Sequence, residues 1–168
     1  MKRLLSGNEA IFQGAIRAGA RYFAGYPISP TSEILQQASL YAEENPAFCC
    51  LQAEDEIAAA IATLSASLAG AKAFTATSGP GFTLMQEAIG WGHVVEAPTV
   101  FVNSMRVGPS TGMPTQPAQS DLLQIKGGSA GDYYPIAFYP HSVEESFRLT
   151  VTAFNACLLY TSPSPRDS

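Results

Sequence analysis

The amino-acid sequence predicts a doubly wound α/β domain, a mostly parallel sheet with helices on both faces. Short apolar or aromatic stretches of strand character alternate with longer stretches whose apolar residues recur at helical spacing. Strands that alternate with helices in this way assemble parallel sheets covered on both sides. Three unusual loops, at Pro27, Ser78 and Arg106, each follow a predicted strand, so all three should open on one edge, where ligands of this fold class bind. With 168 residues the chain has the length of one ordinary domain with a single core.

Asn8 to Ala18 reads as an amphipathic helix, with Ala10, Ile11, Ala15 and Ile16 at helical spacing, Asn8 as N-cap and Gly19 as the stop. Arg21 to Tyr26 is an aromatic-rich strand that runs into the proline-bracketed loop Pro27-Ile-Ser-Pro30. Ser32 to Glu44 returns as a helix, Ala47 to Gln52 as a strand, and Asp55 to Ala69 as an alanine-dense helix stopped by Gly70. Ala73 to Thr77 is a strand, Ser78-Gly-Pro-Gly81 a tight turn, and Phe82 to Glu96 a helix. Thr99 to Met105 is a strongly apolar strand that leads into a long Gly/Pro/Thr/Ser loop from Arg106 to about Gln119, and loops of that length usually carry function. A short helix near Asp121 to Lys126, a strand from Ile136 to Tyr139 and a last helix from Val143 to Asn155 complete a domain assigned to residues 1–157. Residues 158–168 change abruptly to a polar, proline-bearing run. They are expected to be a non-native or disordered tail, similar to translated cloning or sequencing adapter.

Charged residues make up 14% of the chain and hydrophobic ones 46%, against a charged share of roughly 25% in soluble domains. A weakly charged chain often hides surface against partners. The net charge of -5, the pI near 4.9 and the lack of any Lys/Arg cluster argue against nucleic acid as a partner. Gly, Pro or charged residues interrupt every apolar stretch before it reaches the ~20 residues of a membrane helix. Met1-Lys-Arg-Leu-Leu5 begins like a signal peptide, but Ser6-Gly-Asn-Glu9 ends the apolar run, so a cytoplasmic location is expected. Cys49, Cys50 and Cys157 form no C-x-x-C pair, and Cys49 and Cys50 should point to opposite faces of a strand. They read as reduced core or spare thiols, which leaves any iron-sulfur cluster to another chain.

Several residues have the chemistry of a site. Glu54, Asp55 and Glu56 crowd the head of the alanine-dense helix. Positions two apart on a helix point about 200° apart, so at most one of Glu54 and Glu56 faces a ligand. Glu56 is favoured, because Ala59, Thr63, Ala66 and Gly70 follow it as small residues on one face, allowing close approach to a cofactor or partner. The plainer reading has all three acids complementing the helix dipole. Arg106, at the end of an apolar strand, is placed to fork onto a carboxylate, or else to form a surface ion pair. The Ser78-Gly-Pro-Gly81 turn lacks the lysine and the spacing of a phosphate cradle. His93 and His141 have no companions at metal-ligand spacing, so no metal site is expected on this chain. No nucleophile elbow or Cys-His pairing is present.

Gly7-Asn-Glu9, Gly25-Tyr-Pro-Ile-Ser-Pro30, Gln52-Ala-Glu-Asp-Glu56, Thr75-Ala-Thr-Ser-Gly-Pro-Gly81 and Gly108-Pro-Ser-Thr-Gly112 occur in that order. Together they resemble the alpha chain of the 2-oxoacid:ferredoxin oxidoreductases, the 2-oxoglutarate type above all, from Gly7 to about Asn155. The resemblance implies the pyrimidine-binding domain of a thiamine diphosphate enzyme. A partner beta chain would hold the diphosphate, its Mg²⁺ and an iron-sulfur cluster. It implies that Glu56, with Glu54 as the alternative, hydrogen-bonds the pyrimidine ring nitrogen and favours the imino tautomer that takes the thiazolium proton. Arg106 would bind the 2-oxoacid carboxylate, Ser29 and Thr31 the substrate, and Pro27, Ser78 and Gly79 the cofactor. Thr111 and Thr115 would line a coenzyme A or substrate channel, a position that ordinary loop polarity explains equally well. Ser29 stands where the family usually has threonine, which puts a methyl contact in doubt.

The implied function is CoA-dependent oxidative decarboxylation of a 2-oxoacid, with 2-oxoglutarate favoured, to acyl-CoA and CO₂, electrons passing singly to ferredoxin. Such a chain would be a truncated subunit, inactive without its partner. The alternatives are a non-catalytic α/β binding or assembly module and the pyrimidine domain of another thiamine enzyme, such as a pyruvate or branched-chain-oxoacid oxidoreductase.

Overall fold

In the computed structural model, which describes residues 4–160, four parallel strands form the sheet. They are β1 (Tyr22–Gly25), β2 (Cys49–Gln52), β3 (Ala73–Thr77) and β4 (Thr99–Asn103), in the spatial order β2-β1-β3-β4. Tyr22 pairs with Cys49 on one side and Ala73 on the other, and Ala73 pairs with Thr99. The chain moves outward from β1 to β2, then crosses back over β1 to build β3 and β4. That reversal opens a crevice beyond the carboxyl ends of β1 and β3, where ligands of such sheets bind.

The helices among the described residues are α1 (Gly7–Arg17), α2 (Ser32–Glu44), α3 (Glu56–Leu68), α4 (Gly79–Leu84), α5 (Gln86–Val94), α6 (Leu122–Gly127) and α7 (Val143–Tyr160). Side chains alternate along a strand, and the two faces of the sheet recruit different helices. Phe23, Phe74, Ala76 and Val100 pack with Phe12, Ile34, Ala38 and Phe154 of α1, α2 and α7. Phe74 is fully buried, its ring 4.9 Å from Phe23 and 6.0 Å from Phe154. On the other face Ala24 meets Ala59, Ala60 and Leu64 of α3, with Met85 and Ala88. Helices thus cover both faces, as the sequence predicts.

Four expectations need correction. The N-cap of α1 is Ser6, not Asn8: Ser6 Oγ accepts from Glu9 N, and Glu9 returns a bond to the Ser6 N–H. This capping box is visible in the sequence as Ser6-x-x-Glu9, and it frees the Asn8 side chain. The Gly79-Pro-Gly81 segment is not a turn before a helix but the first turn of α4, where proline is tolerated because its missing N–H would have no helical partner. The expected strand Ile136 to Tyr139 is absent. Those residues are exposed and unladdered, and Pro135 and Pro140 bracket them without donors for a ladder. Finally, α7, expected over Val143 to Asn155, runs to Tyr160. The remainder of the expected tail, 161–168, lies outside the described residues.

Small residues along α3 serve the interior. Ala59 and Thr63 are wholly buried, Thr63 Oγ1 donating to the Ala59 carbonyl at 2.7 Å, whereas Gly70 is exposed. The close approach they permit is to the sheet and α5.

Cys49 is exposed and Cys50 half-buried, as alternation along β2 requires. Burial, and secondarily the neighbouring Cys49, pushes the Cys50 thiol up to about 11, and burial pushes Cys157 up to about 11 as well. Maleimide labelling at pH 8, followed by peptide mass spectrometry, should therefore modify Cys49 well before Cys50 or Cys157. Equal rates at Cys49 and Cys50 would contradict this arrangement.

Candidate active site

The three acids at the head of α3 have separate places. Asp55 is the N-cap: its Oδ1 accepts from the Ala58 N–H at 2.7 Å. Glu54 lies in the preceding bend, exposed and outside the helix. Glu56 opens the helix and is only 5% exposed. Its carboxylate accepts no hydrogen bond from any described residue, although a buried carboxylate ordinarily demands donors. Dipole complementation is thus the task of Asp55, and Glu56 faces inward with its acceptor capacity unused.

The seat for Glu56 is made by Gly81. A Cβ there would collide with Thr77 Oγ1 and lie 2.5 Å from Glu56 Oε1, so only glycine lets the first turn of α4 lie beside the carboxylate. Gly79 has a matching role on the other flank, where a Cβ would lie 3.1 Å and 3.2 Å from the two carboxylate oxygens of Asp121. With an acid on each flank, this turn disfavours a phosphate. Ser78, fully buried at the end of β3, occupies the N-cap of α4 without bonding the helix, and its Oγ has no hydrogen-bond partner.

Arg106 follows β4 and is 5% exposed. Nη1 donates to the Ser29 carbonyl at 2.8 Å, Nε has no partner, and no acid pairs with the guanidinium among the described residues. The surface ion-pair reading therefore fails. Its bond joins the loop after β1 to the loop after β4, and Asn8 reinforces the junction: Asn8 Nδ2 donates to the Pro30 carbonyl at 2.8 Å, and Ser104 Oγ donates to Asn8 Oδ1 at 3.1 Å. Asn8 is a positioning residue that sequence reasoning misassigned as a cap.

The other predicted residues fall around this junction. Ser29 is exposed and reaches Arg106 through its main chain. Thr31 is buried, and its hydroxyl proton is committed to the Ile28 carbonyl at 3.0 Å, so it shapes the loop with only its lone pairs left for a ligand. Pro27 is exposed on a cleft of about 420 Å³ shared with Ser32, Leu35 and Gln52, on the α2 face of the sheet. Thr111 and Thr115 are exposed in the Arg106 loop. His141 pairs with Glu145, and His93 lies against the Tyr133 ring. No three His, Cys, Asp or Glu side chains group to hold a metal among the described residues.

A carboxylate without donors and a guanidinium without an acid among the described residues, both at the carboxyl edge of a parallel sheet, stand where α/β domains bind ligands. Comparison with known proteins says which such domain this is. The family described as "Pyruvate flavodoxin/ferredoxin oxidoreductase, thiamine diP-bdg" matches residues 13–164, and the chain belongs to that family. It is 51% identical over 162 residues to the 2-oxoglutarate synthase subunit KorA of Archaeoglobus fulgidus, covering 95% of this chain and 46% of the relative. Identity to the ketoisovalerate oxidoreductase subunit VorB of Methanothermobacter marburgensis is 42%, covering 96% of this chain and 46% of that one. Among solved structures, the 2-oxoglutarate:ferredoxin oxidoreductase from Magnetococcus marinus, with 2-oxoglutarate, coenzyme A and succinyl-CoA bound, superposes with a TM-score of 0.86 at 39% identity, covering 91% of this chain and 27% of that one. The chain thus spans less than half the length of these relatives.

A buried acid without donors trades stability for readiness. Glu56→Gln should raise the unfolding free energy of the isolated chain by about 1 kcal/mol, because the amide is less costly to bury than the carboxylate. Chemical denaturation measures it, and a loss of stability would show that the carboxylate has a hidden partner.

Proposed function

We propose that this chain supplies the cofactor-activating acid and the substrate-anchoring arginine of a 2-oxoacid:ferredoxin oxidoreductase, as part of its alpha subunit. One observation carries the reading: Glu56 and Arg106 are both buried at the same sheet edge, the acid without a donor and the guanidinium without an acid. The reaction is CoA-dependent oxidative decarboxylation of a 2-oxoacid to an acyl-CoA and CO₂. 2-Oxoglutarate is the favoured substrate, in keeping with the names of the relatives.

The residues present fit the pyrimidine end of thiamine diphosphate. Glu56 would accept the proton-bearing ring nitrogen, and the partnerless Ser78 hydroxyl and Gly79 line the adjoining turn. When bound, the cofactor supplies a nucleophilic carbon and an electron sink for decarboxylation. Glu56 hydrogen-bonds the ring nitrogen and so sets the ring's tautomer. Arg106 anchors the carboxylate that departs as CO₂, its position set by the Ser29 carbonyl. Ser29, exposed beside it, steadies the keto oxygen. A beta chain completes the site with the diphosphate grip, Mg²⁺ and an iron-sulfur cluster, and ferredoxin takes the electrons one at a time. No helix of the described residues is long and apolar enough to cross a membrane; the enzyme is proposed to be cytoplasmic. A branched-chain 2-oxoacid is the second reading, favoured by the similarity to the ketoisovalerate subunit.

In the full-length chain assembled with its beta partner, Glu56→Gln should lower CoA-dependent dye reduction by about 10²–10⁴-fold while Glu54→Gln stays near wild type. The reverse order would reassign the acid, and absence of any 2-oxoacid-dependent reduction in the wild type would sink the proposal. Arg106→Lys keeps the charge but loses the fork, and should raise the KM for the 2-oxoacid by roughly tenfold or more. Steady-state titration of the 2-oxoacid checks this.

A further inference from the structure

We propose that Asp121 is a positioning residue which, with Asn103, fastens the loop that carries Arg106 and so fixes the guanidinium in its buried place. The inference deepens the function proposed above and rests on it. The loop leaves β4 at Asn103 and returns at Ser120 and Asp121. Side chains fasten both ends: Ser120 Oγ donates to the Arg106 carbonyl at 3.2 Å, and Asn103 Nδ2 donates to Asp121 Oδ2 at 3.2 Å. Between them the main chain closes on itself, Val107 N donating to the Gln116 carbonyl and Met113 N to the Val107 carbonyl, each at 3.0 Å.

Asp121 is 8% exposed. Its carboxylate lies against Gly79 in the first turn of α4, and its carbonyl accepts from Ile125 N at 2.9 Å to begin α6. One buried residue therefore ties the end of β4, the first turn of α4 and the head of α6. Burial of a carboxylate on a single side-chain donor is costly, and a well-packed apolar residue would hold such a corner more cheaply. What an acid adds is direction. It fixes which way the Asn103 amide faces, since only the Nδ2 end can approach it. Arg106 stands three residues beyond Asn103, and among the described residues its guanidinium has the Ser29 carbonyl as its one hydrogen-bonded contact. Its position consequently depends on how firmly the loop's ends are held.

In the assembled enzyme, Asp121→Ala and Asn103→Ala should each raise the KM for the 2-oxoacid by roughly tenfold, about the worth of one charge-assisted hydrogen bond, with kcat and the KM for coenzyme A little changed. Asp121→Asn retains an acceptor oxygen for Asn103 but neither the charge nor the direction, and should recover part of the KM rise. Equal rises in both KM values, an unchanged 2-oxoacid KM in both alanine variants, or an Asp121→Asn as impaired as Asp121→Ala would overturn the inference. A second readout needs no turnover. Phenylglyoxal modification of Arg106, scored against exposed Arg148, should be slow in the wild type and faster in both alanine variants. Unchanged labelling refutes the fastening even if the enzyme is an oxoacid oxidoreductase. Faster labelling sustains it even if the wild type proves inactive toward 2-oxoacids, in which case only the proposed function falls.

Discussion

All four strands run parallel, so every segment that leaves a carboxyl end emerges on the same edge, and the chemistry of the domain follows from that constraint. The loop after β1, the head of α3, the turn after β3 and the loop after β4 come from positions scattered over some eighty residues. Parallel pairing makes them neighbours without any need for sequence proximity. The crossing of the chain from β2 over β1 to β3 then keeps the β1 and β3 loops from covering one another. Arg106 bridges the crevice so formed by bonding the Ser29 carbonyl, and Asn8 holds the next carbonyl from the other side. The site is an edge closed by hydrogen bonds, built on strands whose packing around Phe74 leaves them little freedom.

Within that frame, similar acids have dissimilar environments. Glu9 completes the cap of α1, Glu33 accepts from Ser6 Oγ, and Asp55 caps α3. The main-chain N–H of His141 holds the Glu145 carboxyl below its usual range, with the His141 ring and Arg148 adding to the effect. Each of these acids is matched with donors. Glu56, 5% exposed, has none among the described residues, where Ser78 Oγ and Arg106 Nε are buried atoms without a partner. Unsatisfied buried polar groups are destabilising and scarce in folded domains. Ser78 Oγ, Asn103 Oδ1 and Arg106 Nε, three of the five such atoms among the described residues, lie at the switch-point edge, while Thr75 and Thr99 hold the other two inside β3 and at the start of β4.

Local signals carried much of the fold into the sequence. α2 and β3 run where the pattern places them, Ser32–Glu44 and Ala73–Thr77, because helical spacing and apolar β-prone content agree with the flanking breakers there. Elements whose identity depends on a distant partner were less legible. Ile136 to Tyr139 has the composition of a strand, but no neighbouring strand pairs with it in the described residues, and a short apolar run does not reveal its partner. At the head of α3, helix geometry was no guide to separating Glu54 from Glu56, because Glu54 precedes the helix and only Glu56 lies on it. The bond from Asn103 to Asp121 and those of Asn8 were not legible either, because their partners lie far along the chain. A glycine pair spaced to admit an acid on each side of one helical turn also has no signature apart from ordinary turn glycines.

The serine at position 29 shows how the level at which a contact is made decides whether a substitution matters. Threonine and serine differ by a methyl group, and a site built on that side chain would feel the difference. Here the firm bond is made by the main-chain carbonyl of Ser29 to Arg106 Nη1, at 2.8 Å. Pro30 biases the backbone of residue 29 toward an extended form, and Asn8 binds the Pro30 carbonyl. The clasp between the β1 and β4 loops is therefore indifferent to the side chain at 29. Whatever the missing methyl changes, it changes on the exposed side and leaves the position of the arginine as it was.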